Sequence, residues 1–177
     1  QRVIRLLMKG LLVMLKLAKF ERYLLAAVLA LLVAAIFGPS VAQSAHHHDF
    51  ADLRVWGSVP FAMDVLSNLP FAVWGAIGLA GVVALSRQAK PLAAQLALAA
   101  LFFAGLLLTA AASAWYHWLP NDSGLALDRL GMTVAFAGLL GLAAAGRISL
   151  RAGWGLAAAV LVLGPLSIGV WAATANV

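Results

Sequence analysis

The sequence predicts an all-α integral membrane bundle, with about five transmembrane helices behind a basic amphipathic N-terminal helix. Three observations predict it. Of the 177 residues, 64% are hydrophobic and only 10% are charged, whereas a soluble domain carries about a quarter charged residues. The apolar residues gather into runs approaching or exceeding the roughly 20 residues that cross a bilayer, and the mean hydropathy is +1.01. The few charges fall between those runs, with acidic and basic residues segregated. Cysteine is absent, which excludes disulfides and thiolate metal sites. The formal charge of +6 sits beside apolar runs, so it points to membrane orientation and anionic lipid rather than nucleic acid.

Residues 1–22 carry Arg2, Arg5, Lys9, Lys16, Lys19 and Arg22. On a helix the first five fall within a sector of about 100°. Val3, Ile4, Leu7, Leu11, Met14 and Ala18 fill the other side, as in a helix lying in the membrane interface. The competing reading is a long basic leader to a signal peptide. Residues 23–45 hold no charge and can span. Ser40-Val41-Ala42 also fits a signal-peptidase site, so 23–45 is a first transmembrane segment or a signal peptide. The chain beyond residue 45 starts outside in either case. A polar loop over 43–64 holds His46, His47, His48, Asp49, Asp52, Arg54 and Asp64. Further spans are expected over 65–86, 91–116, 129–146 and 152–177, the last kinked at Pro165. There is no repeat and no soluble domain, and residues 46–177 read as one transmembrane domain.

The charges test this layout. Loops 43–64 and 117–129 hold five Asp and two Arg, while the rest of the chain holds ten Lys and Arg and one Glu. The positive-inside rule then places the N-terminus and the turns 87–91 and 147–151 in the cytoplasm. All four histidines and all five aspartates share the far face. Small residues in the spans, among them Gly75, Gly78, Gly138 and Gly141, predict close helix approach.

The chemistry gathers at residues 109–133. Ser113 and His117 are four apart and so share one helix face, with Thr109 a further turn back. The connection after His117 turns the chain around, so Asp128 can face His117 from the next helix. An intramembrane carboxylate is costly without a partner. A neutral imidazole is a good zinc ligand, and a nearby carboxylate can orient it or a bound water. A purely structural reading has Ser113 bonding back to the Thr109 carbonyl, Asp128 capping the next helix, and Trp115, Tyr116 and Trp118 forming an interfacial belt.

Ser113-Ala-Trp-Tyr-His117 followed by Asp128-Arg-Leu-Gly-Met resembles the S-x-x-x-H and D-x-L-x-M pattern of the alkaline ceramidase family. Ser67-Asn68-Leu69-Pro70-Phe71 resembles that family's S-N-x-P-F segment, and His48-Asp49-Phe50-Ala51-Asp52-Leu53-Arg54 resembles a segment ahead of it in bacterial relatives. The likeness covers roughly residues 46–150 in the same order. The wider superfamily includes adipoQ-type receptors. The resemblance implies a seven-helix membrane amidase that cleaves the N-acyl amide of ceramide-like lipids in a bacterial inner membrane. It implies zinc as cofactor, His117 as one ligand, and Ser113 and Asp128 as catalytic residues around the reacting water. The family's H-x-x-x-H pair does not occur in this chain. The expectation is a fragment: the gene would continue past Val177 for two more spans carrying that pair, and these 177 residues alone would be inactive.

Asp49-x-x-Asp52 resembles the D-x-x-E calcium segment of the animal enzymes. Asp49 and Asp52, with Asp64 as the nearest further acid, are therefore candidate calcium ligands by resemblance, against a solvated acidic loop. His46–His48 read as exposed loop or adventitious metal binding. A rival of another class is a non-enzymatic receptor or lipid-binding protein on the same scaffold. A small permease is disfavoured, because polar groups gather at one end rather than at the bilayer midplane.

Overall fold

A computed structural model describes residues 17–87 and 92–175. The amphipathic helix expected over 1–22 therefore lies mainly outside the described residues. The chain divides into two units, 1–39 and 40–177. In the first, helix α1 (Lys19–Phe37) opens with the Ala18 N–H donating to Glu21 Oε2 at 2.9 Å. It stops at Phe37, short of the expected 45, because Pro39 disfavours helical backbone at the residue before it.

The second unit is a helical bundle and contains α2 (Ala62–Leu66), α3 (Leu69–Ser86), α4 (Ala93–Trp118), α5 (Asp122–Arg147) and α6 (Leu150–Thr174). Together α2 and α3 make one apolar stretch, so five helical segments among the described residues are long and apolar enough to cross a membrane. The break between α2 and α3 falls at Ser67-Asn68. Pro70 cannot continue the preceding helix but suits the first turn of the next. The buried Asn68 amide and the Ser67 hydroxyl both donate to the Asp64 carbonyl, at 3.0 and 2.7 Å, which satisfies a group the break leaves free.

Packing runs in sequence order, α3 on α4, α4 on α5, α5 on α6, as short connections between antiparallel neighbours favour. The α4–α5 contact is the most extensive, and glycine makes it so. A Cβ on Gly105 would sit 2.2 Å from the Ala135 nitrogen, and one on Gly138 would sit 2.2 Å from the Phe102 nitrogen. The two backbones therefore touch, as small-residue membrane interfaces allow. Leu98, Ala137 and Ala157 form the fully packed core. Large apolar side chains such as Leu108, Phe136, Val162, Leu166 and Val170 point outward, where lipid would cover them. Helix α6 runs unbroken through Pro165.

Two ends differ from expectation. The connection after α4 is Leu119–Asn121 alone, because α5 begins at Asp122 rather than 129. Pro120 ends α4, and the Asn121 side chain caps α5 by accepting from the Gly124 N–H at 2.7 Å. Asp128 is therefore not the cap. It lies inside the helix, about 9 Å along the axis from Asp122 at 1.5 Å per residue. Similarly, Ser149 caps α6 by accepting from Ala152 N–H at 3.0 Å, so the helix begins at Leu150, ahead of the expected 152.

Candidate functional site

At the Trp118 end of α4, the sequence sets Thr109, Ser113 and His117 on one stripe. Thr109 and Ser113 are buried. The Thr109 hydroxyl bonds back to the Gly105 carbonyl at 2.9 Å, a common way for a threonine to satisfy itself in an apolar helix. Ser113 does not repeat that pattern. Its hydroxyl neighbours the Asp128 carboxyl, which comes in from α5 with the His117 ring and the Arg129 guanidinium also nearby. Arg129 in turn lies over the Trp171 ring, 4.2 Å from its centroid, a cation–π contact that ties α5 to α6. The structure thus brings together Ser113, His117 and Asp128.

Two atoms of this group stand out. His117 Nδ1 and Asp128 Oδ1 are buried and make no hydrogen bond. An unmade bond at a buried polar atom costs about 1–3 kcal/mol, so two such atoms in one group of side chains mark a place where a ligand would be stabilised. The walls are aromatic. The Phe50 ring packs on His117 at 4.5 Å between centroids and on Tyr116 at 5.4 Å, and Phe61 meets Phe50 edge-on at 5.1 Å. Phe50 belongs to the loop over 38–61, so that loop covers the histidine.

The same loop carries a second polar group. The Nε2 atoms of His47 and His48 lie 3.0 and 3.1 Å from one oxygen of Asp122. Their ligand atoms and that carboxylate oxygen all fall within 4.8 Å of one another. His48 Nδ1 is 3.0 Å from the Tyr116 hydroxyl. Tyr116 stands between the two groups, within electrostatic reach of both Asp128 and Asp122. Sequence reasoning left His47 and His48 in an exposed loop and gave Asp122 no role. The available signal was that both segments belong to the same face of the membrane.

The acidic residues suggested for calcium are not gathered into one set. Asp49 is exposed and pairs with His46 Nδ1 at 2.7 Å. Asp52 is taken by the Arg54 guanidinium and by the Met63 N–H at 2.8 Å, and the Arg54 hydrogen bond, before all other causes, holds its carboxyl below the usual carboxylate range. Asp64 shares a surface depression with Asp52 and Arg54, without Asp49. Among the described residues, His47, His48 and Asp122 are the three ligand-bearing side chains that converge.

Comparison with protein-family models, with curated proteins and with solved structures finds no match to this chain.

Proposed function

We propose that this protein is a zinc-dependent membrane amidase of the alkaline ceramidase type, hydrolysing the N-acyl amide of ceramide-like lipids at the Ser113–His117–Asp128 end of the bundle. One observation carries the reading. Three side chains of the right chemistry, from two helices, meet in an apolar setting with His117 Nδ1 and Asp128 Oδ1 both unpartnered. Membrane proteins keep such groups for function.

The residues fit zinc in part. His117 offers a buried, unpartnered imidazole nitrogen, and a catalytic zinc takes about three protein ligands plus an open position. His117 would be one of them, and the other imidazoles of this end, His47 and His48, are turned to Asp122. Zinc supplies Lewis acidity and a water acidic near neutral pH. The chain's own residues do the rest. Hydrolysis adds hydroxyl to the acyl carbon and a proton to the leaving nitrogen as the C–N bond breaks. In this reading Asp128 takes the proton from water and passes it to that nitrogen. The Ser113 hydroxyl, next to that carboxyl, donates to the carbonyl oxygen as charge develops there. Phe50 and Phe61 keep bulk water away. In the same reading the protein sits in a bacterial inner membrane with its basic N-terminal segment in the cytoplasm, supported by the segregation of charge.

The test is release of fatty acid from ceramide by the protein purified in detergent. Hydrolysis should be abolished by chelation, restored by zinc, and lost in His117→Ala and Asp128→Asn. Binding of ceramide with no zinc-dependent release would instead mark a lipid receptor on the same scaffold.

A further inference from the structure

The second polar group has a hydrogen-bonding pattern that orients its two imidazole rings. His47 Nδ1 lies 2.6 Å from the Ser44 carbonyl oxygen. A carbonyl only accepts, so this nitrogen carries the N–H and donates. The Tyr116 hydroxyl donates to the His47 carbonyl at 3.4 Å. The same hydroxyl lies 3.0 Å from His48 Nδ1. Both Nε2 atoms aim at the same Asp122 oxygen. Three metal-ligating atoms thus converge within 4.8 Å of one another.

We infer that His47, His48 and Asp122 form a binding site for a divalent transition ion of the zinc class. Imidazole and carboxylate are ligands such ions take. Two histidines and one carboxylate leave an open position for water, and the side chain of Asp122 is 72% exposed, so the site opens outward. The orienting shell is present as well: metal-bound histidines characteristically donate their other N–H to a carbonyl or a similar acceptor, as His47 does to the Ser44 carbonyl and as His48 can to the Tyr116 hydroxyl. His46, the third member of the run, is excluded, because its ring turns to Asp49. The ion would fasten the turn at 44–49 to the first turn of α5, and so hold Phe50 over His117. The site stands apart from the proposed hydrolase chemistry and does not depend on it.

The experiment titrates cobalt(II), as a visible probe, and then zinc into the metal-stripped full chain in detergent, in the His117→Ala background. One equivalent should bind. His47→Ala, His48→Ala and Asp122→Asn should each weaken binding by more than the roughly 10–100-fold that an orienting partner is worth. Tyr116→Phe, which keeps the ring and loses the acceptor, should cost about 10–100-fold. His46→Ala should change nothing. A measurement on the unmutated chain guards against misfolded variants: zinc should shield His47 and His48, but not His46, from diethylpyrocarbonate, read by mass spectrometry. Binding that survives the double substitution of His47 and His48, an equal loss in His46→Ala, or modification of all three histidines regardless of zinc would overturn the site.

Discussion

Substituting alanine for Gly138 should separate α4 from α5 and with it take apart the Ser113–Asp128 meeting point. The added Cβ would lie 2.2 Å from the Phe102 nitrogen and 2.5 Å from its Cα. Ordinary contact between non-bonded heavy atoms is about 3.5–4.0 Å, so the helices must part by more than about 1 Å. Both neighbours are backbone and cannot swing aside as a side-chain tip could. Overpacking of a tight core costs about 1–3 kcal/mol, and a gap of 0.5–1 Å already forfeits a quarter to a half of each contact it opens. We expect about 2–3 kcal/mol for Gly138→Ala, and a similar loss for Gly105→Ala, which meets Ala135 nitrogen at 2.2 Å. Gly81→Ala and Gly155→Ala add a Cβ into open space and should be neutral or slightly stabilising, since alanine is the better helix former. The assay is reversible unfolding in mixed detergent micelles, with all four variants in one series. Equal stability of Gly138→Ala and Gly81→Ala would refute the close-contact argument, and with it the way α5 presents Asp128 to Ser113.

Other parts of the bundle give further expected outcomes. Ser113→Ala should lower hydrolysis less than Asp128→Asn does, because a bound metal would supply most of the charge stabilisation; equal losses in kcat would give Ser113 a larger role. Asn121→Ala removes the cap on Gly124 and should cost about 1 kcal/mol in the same unfolding series, whereas an unchanged midpoint would show that water serves as well. Asp52 is held below its ordinary pKa of 3.8, chiefly by Arg54. Its hold on the 52–63 turn is therefore complete at neutral pH and fades as pH falls below the carboxylate range. Protease cuts within 50–61 should rise in Asp52→Asn at neutral pH and in the unmutated chain only under acid, and acid resistance equal to that at neutral pH would remove Asp52 from the account. A cysteine at Ser123 should react with an impermeant reagent from outside the cell and one at Gln88 should not; the opposite pattern would reverse the orientation.

The membrane bundle was legible because composition leaves no other home for such a chain. Its element ends were less so, and for one physical reason. Backbone hydrogen bonding does not stop where the charges fall, so α5 runs from its Asn121 cap through residues 122–128, which charge counting assigned to a loop. The Ser113–His117–Asp128 group was readable from helical spacing plus an antiparallel neighbour, both local facts. The His47–His48–Asp122 group was not, since its members are 74 and 75 residues apart. Which of three consecutive histidines turns inward is decided by the turn at 44–49, where His46 goes out to Asp49 and the next two converge. No periodicity announces that choice.

The covering loop is also fastened to α6. The Gln43 N–H donates to the Ala175 carbonyl at 2.9 Å, and the Trp171 indole donates to the Gln43 side chain at 3.0 Å across 128 residues of sequence. This has a consequence for biogenesis. Synthesis proceeds at about 5–20 residues per second, so on the order of 6–26 s separate the emergence of Gln43 from that of its anchor. During that interval the loop that carries the histidine run and Phe50 waits at the membrane surface without its anchor on α6. That anchor is therefore set late, by insertion of α6, and a chain arrested before Trp171 would display the loop untied above an otherwise formed α4–α5 pair.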